Sequence, residues 1–117
     1  MVVNGGEPIM IKTYIVPAPD LDAAKAVYRE LLGTEPYADA PFYVGFRVGD
    51  QEIGLDPHGH RDGPVGYHHV PDVAAAHKAL LAAGAQPHQD ITDVGGGQLI
   101  AVVKDPAGNL IGLREEK

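Results

Sequence analysis

Two stretches of this chain run through the same pattern in the same order, and that repetition limits the possible folds more than any other feature. Val48-Gly49-Asp50 leads through Gln51 and Glu52 into Ile53-Gly54-Leu55. Later, Val103-Lys104-Asp105 leads through the longer turn Pro106-Ala107-Gly108-Asn109 into Ile111-Gly112-Leu113. Both read as strand, turn, strand; Pro106 presets φ and Gly108 can take φ > 0 without a Cβ clash. A helix signal precedes each hairpin. Pro19-Asp20 starts one helix and Pro71-Asp72 the other, so counterparts differ by 52 positions, Asp72 against Asp20. Ala24, Val27, Tyr28 and Leu31 have the spacing of one apolar helix face, and Ala76, Ala79, Leu80 and Ala83 repeat it. Asp20 and Asp72 are placed to cap the helix starts, and Gly33 and Gly84 to end the helices.

The strands fall between these markers. Ile9 to Val16 is rich in β-branched residues. A short strand is expected over Glu35 to Ala38, then Pro41 to Val48 and Gln51 to Asp56. The second half repeats the order with Val65 to Val70, a helix over Val73 to Ala83, then Pro87 to Asp93, Gln98 to Lys104 and Asn109 to Arg114. The expected architecture is α+β, built from two βαβββ modules. Module one is 9–56, the breaker-rich linker 57–64 and module two 65–114, all in one domain. Alternation places Phe42, Val44, Phe46 and Val48 under the first helix with Ile53 and Leu55. Leu99, Ala101, Val103, Ile111 and Leu113 take the same part in module two. The opposite face then carries Tyr43, Arg47, Glu52, Gly54 and Asp56, and in module two Gln98, Ile100, Val102, Leu110, Gly112 and Arg114.

Composition removes several functions. A net charge of −7, from 9 Lys+Arg against 16 Asp+Glu, disfavours nucleic acid, which needs a basic surface. There is no cysteine, so disulfides and thiolate chemistry are excluded. No apolar run approaches the roughly 20 residues that cross a bilayer, so no membrane association is expected. Met1 to Pro8 shows no basic stretch before an apolar one; no signal peptide is expected there, and a cytoplasmic location is.

The Asp20-Leu21 and Asp72-Val73 helix starts, Leu31-Leu32-Gly33, Ala82-Ala83-Gly84-Ala85 and the Asp105-Pro106-Ala107-Gly108-Asn109 turn together resemble the vicinal oxygen chelate superfamily. That family includes glyoxalases, extradiol dioxygenases and fosfomycin- and bleomycin-resistance proteins. The resemblance spans about Ile9 to Leu113. It implies a cup-shaped, mostly antiparallel sheet of the glyoxalase/bleomycin-resistance type, often completed in a dimer. It also implies a divalent metal held by a His on each module's first strand and a carboxylate or Gln on its last. Those positions fall here on Thr13, Val65, Gly54 and Gly112. Val and Gly have no side-chain lone pair to place at about 2.0–2.2 Å from a metal, so no metal and no cofactor are expected.

The expected ligand-lining set is Thr13, Tyr43, Arg47, Gly54, Asp56, Tyr67, His69, Gly112 and Arg114. Tyrosine offers a flat apolar face with one polar tip, and arginine can clamp an acidic group with two donors. Gly54 and Gly112 are expected to leave room at the floor of the cup. His68 and His69 are adjacent on a strand and so point to opposite faces, His69 toward the cleft and His68 toward the helix. His77 falls on the polar side of its helix, and His58 and His60 lie in the linker. The resulting expectation is a metal-free, small-molecule binding homodimer resembling the antibiotic-sequestering branch. The alternative is a metal-dependent lyase or dioxygenase with a shifted site at His69, Glu52 and Asp56. No catalytic residue is assigned.

Overall fold

A computed structural model describes residues 9–59 and 62–116 of the chain. Met1 to Pro8, His60, Arg61 and Lys117 lie outside the described residues. The chain divides into two compact units, Lys12–Val65 and Gly66–Lys117, the latter joined by residues up to Ile11.

The first unit is built from strand β1 (Met10–Pro17), helix α1 (Leu21–Leu32) and strands β2 (Ala38–Ala40), β3 (Tyr43–Val48) and β4 (Gln51–Asp56). The strand order is β2-β3-β4-β1; β1 lies parallel to β4, and the other pairs are antiparallel. Asp20 caps α1, its carboxylate accepting from Ala23 N at 3.1 Å. Gly33 ends the helix in the left-handed region, at φ 68, with its N–H donating to Arg29 O. Val44, Phe46 and Leu55 form the buried cluster, and Val16, Leu21, Ala24, Tyr28, Leu32 and Ile53 close over it.

Three expectations need correction in this unit. The face of α1 that meets the sheet is Leu21, Ala24, Tyr28 and Leu32, whereas Val27 and Leu31 are 63% and 71% exposed. Phe42 and Val48 share the parity of Val44 and Phe46 but sit beyond the helix's cover, at 70% and 43% exposed. The short strand lies at Ala38–Ala40, later than Glu35 to Ala38, because its position is set by pairing with Tyr43–Gly45.

The second unit contains β5 (Val65–Val70), α2 (Val73–Ala82), β6 (Gln86–Asp93), β7 (Leu99–Lys104) and β8 (Leu110–Glu115). Its order is β5-β8-β7-β6, again with one parallel pair, β5 and β8. Asp72 accepts from Ala75 N at 3.1 Å and Glu115 accepts from Val73 N at 3.1 Å, so two carboxylates satisfy the start of α2. Val70, Val73, Ala76, Ala101 and Leu113 form the core, with Ile9, Leu80 and Leu99 against it.

The Asp105 turn joins β7 to β8 as expected. Asp105 accepts from Ala107 N and Asn109 N, both at 2.9 Å, and from Asn109 Nδ2 at 3.0 Å. The Asn109 side-chain bond and these backbone donors hold the carboxyl below its ordinary value of 3.8. Gly108 takes φ 90, which a side chain would resist. The motif shared with the resembled family is therefore a self-closing turn. Among the described residues no helix is long and apolar enough to cross a membrane.

Candidate functional site

Register places the face of the first unit that turns away from α1. Glu52 stands opposite Thr13 on one side and Arg47 on the other; Gly54 stands between Ile15 and Gly45. Two side-chain-free positions, Gly45 and Gly54, thus lie next to each other on one face. Both are covered. A Cβ at Gly45 would lie 2.8 Å from Tyr37 Cε1 and 2.9 Å from Tyr43 Cε2. A Cβ at Gly54 would lie 2.7 Å from both Tyr43 Cε1 and Ile15 Cδ1, and closer still to the Tyr43 hydroxyl. The expectation that Gly54 leaves open room is therefore corrected: its missing side chain lets the Tyr43 ring cross the strand.

Crossing the strand brings Tyr43 to Glu52, and its hydroxyl donates to Glu52 Oε2. The Tyr37 phenol lies beside the same carboxylate. This phenol is held above 10.0, first by desolvation, then by the bond to Glu52 and that carboxylate's charge, with Arg47 opposing. The Arg47 guanidinium carbon lies 4.1 Å from the Tyr37 ring centroid, a cation–π contact. Two phenols, one carboxylate and one guanidinium form a connected group on a helix-free sheet face, and Tyr37 remains 48% exposed.

Tyr37 is the residue that reading the sequence missed. Its backbone N–H donates to Gly45 O at 2.9 Å, which ties it to the sheet edge ahead of β2. The available signal was the pair of glycines beside Tyr43, since two adjacent bare positions invite large flat neighbours.

The remaining expected residues divide by module. Thr13 is 3% exposed. Asp56 is engaged in the following turn, accepting from His58 N at 2.8 Å. In the second unit Tyr67 and Val102 flank Gly112, and His69 and Ile100 flank Arg114. Tyr67 is 5% exposed. His69 Nδ1 lies 2.7 Å from Glu116 Oε2, a partner the sequence did not suggest. His68 faces α2 as expected, with Nδ1 3.2 Å from Gly112 O. His77 departs from its expected polar setting, because its Nε2 is shut from solvent without a hydrogen-bond partner among the described residues.

A metal of the kind the resemblance implies does not fit these residues. Gly54, Val65 and Gly112 have no donor, and Tyr43 fills the space a ligand at position 54 would use. Among the described residues no three His, Cys, Asp or Glu are grouped to hold one. A wide depression of about 770 Å³ lies elsewhere, at the start of α1, lined by Asp20, Asp22, Asp39 and Val44. It is an acidic rim around a capped helix start, with Asp39 already paired to Lys25 at 3.0 Å.

Comparison with known proteins agrees with this architecture. The profile of the Glyoxalase/Bleomycin resistance protein/Dioxygenase superfamily matches residues 10–113. No curated protein sequence gives a match. Among solved structures, a superfamily member from Vibrio splendidus 12B01 superposes with a TM-score of 0.69 at 14% identity, covering 93% of this chain and 100% of that one. Methylmalonyl-CoA epimerase from Mycobacterium tuberculosis gives 0.68 at 18%, covering 100% and 93%. A structure described as NAD-dependent benzaldehyde dehydrogenase from Legionella pneumophila gives 0.70 at 18%, covering 90% and 98%. At these identities the superpositions speak for the fold, and the profile speaks for descent. The chain belongs to the Glyoxalase/Bleomycin resistance protein/Dioxygenase superfamily.

Proposed function

We propose that this chain is a small-molecule binding protein that uses no metal at the superfamily's usual positions. It takes up an aromatic or extended amphipathic molecule on the helix-free face of its sheet and acts as a cytoplasmic homodimer. The observation that carries this reading is the Tyr37–Glu52–Tyr43 group with Arg47 stacked on Tyr37. Its two rings are rigid stacking surfaces that lose little entropy on binding. Glu52 and Arg47 give a ligand's polar end one acceptor and one fork of donors. Binding without chemistry is the role of the antibiotic-sequestering members that the sequence resembles.

Calorimetric titration with a panel of planar aromatic amines and acids tests the proposal, with Tyr37→Ala as the matched control. Saturable binding lost in Tyr37→Ala supports it. Elemental analysis of dialysed protein tests the metal-free part. One zinc, nickel or iron ion per chain, released by His69→Ala, would overturn it in favour of a lyase or dioxygenase with a shifted site.

A further inference from the structure

The two modules match position by position, and the match shows where they were built differently. Leu55 of β4 pairs with Val16 and Val44. Leu113 of β8 pairs with His68 and Ala101. His68 therefore stands where module one has Val16, and Ala101 where it has Val44. By the same register Val103, opposite Ile111, stands where module one has Phe46, opposite Ile53. Counting from the capping aspartates, Val73 replaces Leu21 and Leu80 replaces Tyr28. Every one of these exchanges between helix and sheet removes volume, except the one that brings in an imidazole.

The lost volume is not recovered by collapse. A cavity of about 340 Å³ remains beneath α2, lined by Ile9, His68, Val70, Ala76, Leu80, Ile111 and Leu113. Six of these seven side chains are apolar. His68 Nδ1 faces the Gly112 carbonyl at 3.2 Å, and a carbonyl only accepts, so Nδ1 carries the proton of the neutral ring. Nε2 is then the acceptor of the ring that lines the cavity. An apolar cleft left unfilled is costly to keep, and one polar residue placed where its counterpart is valine gives it an orientation.

We propose that this cavity is a second binding site, for a compact apolar molecule carrying one hydrogen-bond donor, of the phenol or short-chain alcohol class. The apolar body fills the space between α2 and the sheet, and its hydroxyl donates to His68 Nε2. The size is at the lower end for ligand pockets, which suits one ring and excludes a peptide helix. The site is independent of the Tyr37–Glu52–Tyr43 group.

The test titrates the full chain with 4-methylphenol and with toluene, followed by amide and imidazole ¹H–¹⁵N spectra. The proposal expects saturable shifts at His68 and along α2, with 4-methylphenol bound about fivefold more tightly than toluene, the worth of one hydrogen bond. His68→Val, which installs the module-one residue, should erase that preference and keep toluene binding. Leu80→Tyr, which restores module one's bulk, should abolish binding of both. Equal affinity for the two probes, or no saturable shift at His68, overturns the proposal. So does undiminished binding to Leu80→Tyr. If Leu80→Tyr does not fold, His68→Val still decides.

Discussion

Gly54→Ala is the most searching perturbation of the site. The added methyl would lie 2.7 Å from Tyr43 Cε1 and from Ile15 Cδ1, so the Tyr43 ring must swing away. Overfilling a tight contact of this kind costs about 1–3 kcal/mol. The ring's departure also removes the hydroxyl from Glu52, and a hydrogen bond to a charged group is worth about 1.5–3 kcal/mol. Tyr43 is half-buried, so the lower part of that range applies. Replacing glycine inside a strand returns about 0.5–1 kcal/mol. The net expectation is a loss of about 2–3 kcal/mol, a fall in Tm of about 10 °C for a chain of this size. Urea denaturation read by far-UV dichroism measures the stability, and calorimetry on the same sample measures ligand binding. The decisive control is a double-mutant cycle with Tyr43→Ala. With the ring gone, Gly54→Ala should cost under about 1 kcal/mol, leaving a coupling of about 2 kcal/mol. An equal cost in both backgrounds would refute the account of why residue 54 is glycine.

The other predictions are simpler to state. The Tyr37 phenol titrates above 10.0, so the stability linked to it is present below pH 10 and lost as pH rises through the folded value; ultraviolet titration should show Glu52→Gln moving this residue back toward 10.0. The Asp105 carboxyl is depressed, so its support of the β7–β8 turn holds above 3.8 and fades as pH falls through the folded value. Amide exchange at Ala107 and Asn109 should quicken across that range, and Asn109→Ala should move its onset to higher pH. Phe46→Ala, at a fully buried position, should cost about 3–5 kcal/mol in denaturant unfolding. Sedimentation at micromolar concentration should give a homodimer; a monomer at every concentration would remove that part of the proposed function.

Much of the fold was legible because its signals are local. Asp20, Asp72, Gly33 and the Asp105 turn act within a few residues of themselves, so sequence alone places them. The face of α1 was not legible in the same way. Val27 with Leu31 and Tyr28 with Leu32 have identical spacing, and only the sheet beneath selects the second pair. The three residues of β2 have no pattern of their own and take their place from β3. At the site, strand parity placed Tyr43, Arg47 and Glu52 together on one face. Parity says nothing about whether a glycine leaves space for a ligand or for a neighbour, and at position 54 the neighbour takes it. Tyr37 reaches the group from outside regular structure, where no periodicity points.

The parallel pairing of β1 with β4, and of β5 with β8, also governs how the chain can assemble. The β3–β4 and β7–β8 hairpins close over short turns and can form early. Thr13 must find Glu52, and Tyr67 must find Gly112, across an intervening helix and two strands. Such closures lose chain entropy before any contact rewards them, which slows folding. Until the first strand of a module docks, β4 or β8 keeps an open row of backbone donors and acceptors that another chain could occupy. Each module's vulnerable interval is therefore the wait for its own first strand, and substitutions that loosen β1 or β5 should lower soluble yield more than they lower final stability.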